Sequence, residues 1–394
     1  KYNGKECPKE FMEGQRFAFI QGVPKLLGPQ FSFKQYGQSG AWVSDQLPHL
    51  SKHVDDLTFV HTMVTDQFNH GPAELMVHTG HANLGHPSIG SWVTWGLGTE
   101  NQDLPGFIVL LSGGQTPRAG KSVWGSGYLP SVYQGVQCRT TGDPVLYLGN
   151  PAGVSADSRR LMLDRLREMH EHQFDGTPDA EIRNRIDHYE MAYRMQTSVP
   201  EVMDISEETD ETFELYGPTS RDPGTYAANC ILARKLLEKD VKFVQLYHQG
   251  WDSHGNLPKE MAMQAQDVDR SSAALITDLK QRGLLDETLV IWGGEFGRTN
   301  YCQGTYTVDS YGRDHHPRAY SIFMAGGGVK AGSVYGETDE FGYNVVKDPV
   351  HIHDFHATVQ HLMGLNHEQL TYKHLGRRYR LTDVSGNVLP GLLA

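Results

Sequence analysis

With 394 residues, 38% of them hydrophobic and 21% charged, the chain can bury a large core, as one large α/β domain or two smaller ones. A formal charge of −12 excludes a general nucleic-acid binder, which would carry a basic stripe, so an anionic substrate would need a local positive site such as a metal or an arginine. No apolar run of about 18 residues is present to span a bilayer, and the chain opens on KYNGKECPKE without an apolar signal region; either it is cytosolic or its targeting segment has been removed.

In chain order, the stretch FNHGPAELMVHTGHANLGH (68–86) is the first of several histidine clusters. The chain holds 20 histidines, and imidazole is both a common transition-metal ligand and a proton carrier near neutral pH. FIVLLSGG (107–114) reads as a buried parallel strand, an apolar run ending in glycine. Residues 113–155, rich in glycine and proline, read as an irregular insertion over one sheet edge. Within it, TPRAGKSVWGSGYLPSVYQG carries Arg118, Lys121, Trp124 and Tyr128, a composition suited to an anionic group on a flat apolar or sugar-like body.

TPDAEIRNRIDHYEMAYRM predicts a helix with Thr177 as N-cap, Pro178 at the first helical position and Ile182, Ile186, Tyr189 and Tyr193 at helical spacing. VKFVQLYHQG (241–250) is a second strand, followed by WDSHG. The stretch KEMAMQAQDVDRSSAALITDLKQRG predicts a helix with Met261, Ala265, Val268, Leu275 and Leu279 along one stripe, ending near Gly283. TLVIWGGEFG (288–297) and AYSIFMAGGG (319–328) complete the strands. Strands alternating with helices predict an α/β fold, a mostly parallel central sheet with helices on both faces, in a single domain over 1–394.

In such sheets ligands bind at the carboxyl ends of the strands. Asp252 and His254 follow one strand; being two apart, they point the same way on an extended chain and make a ligand pair. Glu295 and Arg298 follow another, and Asp314, His315 and His316 sit at the foot of the last. The four cysteines, Cys7, Cys138, Cys230 and Cys302, form no CxxC pair, which excludes a zinc ribbon and leaves free thiols or two bridges open.

The motifs LVIWGGEFGRT, GRDHHPRAYSIFMAGGGVKAG and HIHDFHATVQHLMGLNHEQLTYKHLGRRYRLTDVSG resemble an exported bacterial sulfatase-like family, long catalogued as a domain of unknown function, within the alkaline phosphatase and sulfatase superfamily. The resemblance runs over nearly the whole chain. It implies one or two divalent metals at the carboxyl edge of the sheet. On the matching positions, Asp252, His254, Glu295 and His315 are metal ligands, with Asp314 an additional candidate. Phe296 stands where the superfamily places a second ligand and cannot ligate, so one metal site's worth of donors remains. NHGPAELMVHTG keeps Pro72 and the pair Thr79-Gly80 of the superfamily, but its nucleophile position is His70, with no cysteine, serine or threonine there. A histidine there could attack covalently, act as general base or ligate the metal.

Superfamily proteins also begin with a strand ending in an aspartate ligand. Nothing between Lys1 and Glu13 looks like it, so the resemblance implies a first strand and one ligand upstream of this chain. Asn69, Arg118, Lys121, Arg313 and His316 are the substrate-binding candidates, with Arg298 neutralising charge. His353 and His356 are expected to cap a late helix or to support the ligands from behind. The expectation is therefore a metal-dependent hydrolase of sulfate or phosphate esters, exported to the periplasm or outside the cell, acting on a small-molecule or polysaccharide anionic ester. Abundant imidazole favours zinc or manganese, with calcium or magnesium admitted. The alternatives are a phosphatase or phosphodiesterase of the same superfamily, or a degenerate extracellular binding or assembly module. The oligomeric state is left open.

Overall fold

A computed structural model describes residues 2–12, 22–145, 148–173, 180–307 and 310–394. The expected helix start at Thr177 and Pro178 lies outside these residues. In chain order the elements are α1 (Lys9–Met12), β1 (Phe33–Tyr36), β2 (Ala41–Ser44), β3 (Leu57–Val64), α2 (His70–Thr79), α3 (Ile89–Leu97), β4 (Phe107–Ser112), β5 (Val136–Cys138), α4 (Ala156–Gln173), α5 (Ala180–Met203), α6 (Asp210–Tyr216), α7 (Tyr226–Glu238), β6 (Phe243–His248), α8 (Leu257–Gln281), β7 (Val290–Trp292), β8 (Gly297–Gln303), β9 (Gly312–His316), β10 (Tyr320–Ala325), β11 (Ser333–Tyr335), β12 (Glu337–Thr338), β13 (Val345–Lys347), β14 (Val350–His351), α9 (Ile352–Leu362), β15 (Tyr372–His374) and β16 (Arg377–Tyr379). The fold is α/β. Its backbone divides into two compact units, one of Lys1–Ala82, Gln249–His367 and Thr382–Ala394, the other of Asn83–His248 and Glu368–Leu381.

The first unit is built on β3, which pairs in parallel with β11 and β14 and antiparallel with β10, while β7 pairs antiparallel with β10. β3 escapes a search for apolar runs because Thr58 and Thr62 interrupt LTFVHTMV; both are buried, and their hydroxyls donate to Lys330 O and Asp348 O at 2.6 Å each. Such hydroxyls are tolerated inside only because they are satisfied. β10, expected among parallel strands, is antiparallel to both neighbours. A parallel return needs a crossover of a dozen or more residues, usually a helix; the chain between β7 and β10 is spent on the β8–β9 hairpin instead.

Helix α8 follows its predicted stripe, with Ala265, Val268 and Leu279 buried. Its buried Asp269 accepts the backbone N–H groups of His49 and Leu50 at 2.8 Å each, fastening the helix to the start of a 3-10 turn. Helix α9 meets the end of α2: His356 Nε2 donates to Val77 O at 2.7 Å, and His353 Nε2 lies 2.8 Å from Gly80 O.

In the second unit β4 pairs in parallel with β5 and β6, and Phe107 to Leu110 are buried throughout. The glycine-rich stretch from 113 onward is mostly turns, yet it contributes β5 to the sheet edge. The buried face of α5 runs through Met195, Val199 and Val202, which pack with Leu232 and Leu236 of α7. Tyr189, placed on the buried stripe by its spacing, is 42% exposed because the face that meets α7 is set by the methionine and valine positions further along. All four cysteines are buried and free.

Candidate metal centre

Local geometry in the first unit brings distant residues to one point. In the β8–β9 hairpin Arg298 pairs with His315 and Gly297 with His316. Side chains alternate across a strand, so His315 faces one way while Asp314 and His316 face the other. The segment leading into α8, carrying Asp252 and His254, lies along the hairpin: Arg313 N donates to Ser253 O at 3.3 Å, and Leu257 N to Tyr311 O at 3.0 Å. The contact is so close that a Cβ on Gly312 would run into the His254 backbone. His70 is the first residue of α2, after the N-cap Asn69.

These elements set three imidazoles around one carboxylate oxygen. Asp252 Oδ1 lies 3.0 Å from His70 Nε2, 2.8 Å from His254 Nε2 and 3.2 Å from His315 Nε2. Arg298 Nη2 donates to the same oxygen at 2.7 Å and to Trp251 O at 3.2 Å. The opposite ring nitrogens are each tied to an acceptor. His70 Nδ1 is 2.6 Å from Glu295 Oε1, His315 Nδ1 is 2.7 Å from Phe68 O, and His254 Nδ1 meets Gln303 Oε1. Phe296 stacks on His315 at 4.4 Å between ring centres and tilts against His70 at 4.9 Å, closing the rings in from one side.

The charges reinforce one another. Burial pushes the Asp252 carboxyl up, but the hydrogen bonds with Arg298 and His315 and the close His70 ring outweigh it and hold the group well below the usual carboxylate range. Burial likewise opposes the charged form of His70, and its hydrogen bond to Glu295 together with the nearby Asp252 carboxylate more than reverses this, raising its pKa. Glu295 stays low, its burial offset chiefly by the hydrogen bond from His70. His315 moves down, first through burial and then through the charge of Arg298.

His70, Asp252, His254 and His315 have the spacing of a metal-binding group. If Nδ1 donates to Glu295, Phe68 O or Gln303, the neutral form of each imidazole turns an Nε2 lone pair toward an oxygen that has only lone pairs of its own. A cation between them removes the conflict, and an anchored second nitrogen is the usual companion of a ligating histidine. His70 Nε2 is buried and, although near Asp252, has no partner in hydrogen-bond geometry. Three imidazole nitrogens and one carboxylate oxygen suit zinc or manganese better than the all-oxygen shells of calcium.

Several expected residues fall elsewhere. Asp314 is buried on the far face of β9, where its Oδ1 accepts the His315 backbone N–H at 2.8 Å, so it is no member of the cluster. His316, expected to touch substrate, is a core residue stacked on Tyr343 at 4.3 Å and bonded to Tyr343 O at 2.6 Å; burial pushes its pKa down to about 4. The strand period of two accounts for both corrections. Glu295 serves the outer nitrogen of His70 and, with Glu74 and His70, forms a second possible metal-binding group instead of joining the first. Glu74 lies one helical turn beyond His70, a spacing visible in the sequence.

Arg313 is largely shielded from solvent, its Nη1 donating to Thr299 O at 2.6 Å. Asn69 is exposed and makes no side-chain cap. His353 and His356 hold the far end of α2, while the capping of α9 belongs to His351 and Asp354. Arg118 and Lys121 belong to the second unit, in the stretch after β4. Beside them Trp124 is buried and Tyr128 stacks with Tyr372 and His374, so these two rings serve packing instead of presenting a platform. Gln303 carries no motif signal; only the hairpin register reveals its place.

The sequence matches the family described as "Protein of unknown function (DUF1501)" over residues 1–393, and the chain belongs to that family. No curated protein matches it. Similar solved structures include Ps i-CgsB, with 13% identity and a TM-score of 0.38 over 81% of this chain and 67% of that one. The phosphonate monoester hydrolase SpPMH from Silicibacter pomeroyi shows 14% identity and a TM-score of 0.34, covering 81% and 68%. PsFucS1 sulfatase from Pseudoalteromonas sp. shows 13% identity and a TM-score of 0.37, covering 81% and 62%. Among the described residues no helix is long and apolar enough to cross a membrane.

Proposed function

We propose that this DUF1501 protein is a metal-dependent hydrolase of sulfate or phosphate esters, sulfatase-like and exported, with zinc or manganese held by His70, Asp252, His254 and His315. One observation carries the reading: three imidazoles, each anchored through Nδ1, turn Nε2 toward a single carboxylate oxygen. The ion, when bound, would supply a positive centre that polarises the ester oxygens.

The chain's own residues do the rest. Arg298, pinned by Asp252 and the Trp251 carbonyl, presents a fixed positive charge to an incoming anionic ester. Asp252 holds the three imidazoles and Arg298 in register. Glu295 fixes the ring of His70 and keeps its proton on Nδ1. With Nδ1 held by Glu295 and Nε2 facing the Asp252 oxygen, His70 fits the ligand role better than that of nucleophile or base. Asn69, exposed beside His70, is positioned to orient the ester. An anionic carbohydrate ester remains within this substrate range, as does a phosphodiester.

The same placement of His70 favours a second reading, a binding module that keeps the metal but has no nucleophile. Elemental analysis with turnover of 4-nitrophenyl sulfate and 4-nitrophenyl phosphate separates the two. The hydrolase is expected to hold one ion per chain, to lose turnover on chelation and to regain it on adding back zinc or manganese. A stoichiometric ion without turnover on either ester identifies the module; protein that binds no ion sinks both.

A further inference from the structure

Beside the cluster the first unit contains a cavity of about 760 Å³, well within the range of small-molecule sites. Leu27, Phe33, Trp251, Met261 and Trp292 line it, and Arg298 and Arg313 supply its positive charge. Trp251 and Trp292 meet edge to face at 5.8 Å, and Trp292 stacks on Phe323 at 5.5 Å, so one wall is a rigid aromatic surface. Phe33, half exposed at 50% on the β1–β2 hairpin, is a large apolar side chain of the lining that solvent still reaches. Arg298 belongs to both places: its guanidinium reaches Asp252 Oδ1 and also lines the cavity.

From this we infer that the cavity is the subsite for an apolar group on the alcohol side of the substrate, an aryl ring or an alkyl chain whose attached anionic ester lies at Arg298. The inference rests on the hydrolase reading and deepens it by naming the substrate class. The walls favour it physically: apolar and aromatic surface rewards removal of a hydrocarbon body from water, and Arg298 rewards an anion held beside it. A strongly hydrated polyanion would forfeit the first gain. A sugar ester that itself carries an apolar substituent meets the same requirement as a simple aryl ester.

Non-hydrolysable phosphonates test this without turnover. Quenching of tryptophan fluorescence would report binding of methylphosphonate, phenylphosphonate and octylphosphonate, with 1-naphthol as a probe lacking the anion. Phenyl- or octylphosphonate is expected to bind about tenfold or more tightly than methylphosphonate, the scale of burying a hydrocarbon side group. Whichever of the two gains more identifies a ring or a chain as the body.

Phe33→Ser, at a half-exposed position, and Met261→Trp, which fills the cavity from α8, should each remove the preference while leaving methylphosphonate affinity unchanged. Equal affinities of the three phosphonates for the wild-type protein would overturn the subsite and leave the hydrolase reading standing. Binding of 1-naphthol with no phosphonate bound would instead keep the apolar cavity and sink the ester site. A preference that survives in both variants places the apolar group elsewhere and overturns the assignment.

Discussion

His70 Nδ1 lies 2.6 Å from Glu295 Oε1, a pairing that joins the first turn of α2 to the segment just before β8. It makes Glu295 the group that sets the ring's orientation and its proton. Glu295→Gln keeps the shape and removes the charge, and is expected to weaken metal affinity by about 10- to 100-fold, the usual scale for a carboxylate behind a ligating histidine. Competition with a calibrated chelator measures it. Unchanged affinity would show that Glu295 orients nothing of consequence.

The geometry divides the acidic and imidazole residues of the site into two groups with opposite outcomes. His70→Ala, Asp252→Asn, His254→Ala and His315→Ala should each lose the stoichiometric ion, because the remaining donors cannot close the shell. Asp314→Asn and His316→Gln should keep it, since both side chains face away from the cluster. Elemental analysis of the six purified variants decides, and full metal content in the first four would remove the centre.

Gly312 tests the packing behind the site. A methyl group there would collide with the His254 backbone, and no rotamer relieves a clash with main chain. Gly312→Ala should therefore displace the Asp252–His254 segment, lowering metal affinity while the melting temperature falls only modestly. Wild-type metal affinity in Gly312→Ala would show that the segment yields without cost.

Acid should loosen the join between α9 and α2. His356 is fully buried and donates from Nε2 to Val77 O, and burial pushes its pKa from 6.5 down to about 3. A depressed histidine binds its proton more readily in the unfolded chain, so its contribution is complete above about pH 6.5 and is lost progressively as the pH falls toward about 3. Thermal melts of chelator-treated protein between pH 7 and 4 should show a steeper decline for the wild type than for His356→Gln. Equal slopes would mean that His356 is not the group being titrated.

Much of this arrangement is legible in the order of the amino acids alone. Asp252 and His254 declare themselves by their spacing of two, and helix α8 by its stripe. The parts that stay hidden do so for physical reasons. β3 is masked by threonines that are buried yet satisfied, and β10 owes its direction to the β8–β9 hairpin that stands where a crossover helix would be needed. The pairing of His70 with Glu295 spans 225 residues, and Gln303 matters only because the β8–β9 register carries it to His254. Asp314 and His316 suggest themselves as site residues by their nearness in sequence to His315, yet strand alternation alone assigns them to the other face.

The close seat of His254 on Gly312 has a kinetic consequence. Hairpin and ligand segment are locked backbone to backbone, so neither can swing out alone to release or admit an ion. Three of the four donors, Asp252, His254 and His315, thus travel as one rigid block, and only His70 arrives on a separate element. For a cation entering such a site the slow event would be shedding its own water, not ordering the chain, while escape would require α2 to draw back. Loading should be quick and loss slow, with the exchange rate governed by how firmly α9 grips the far end of α2.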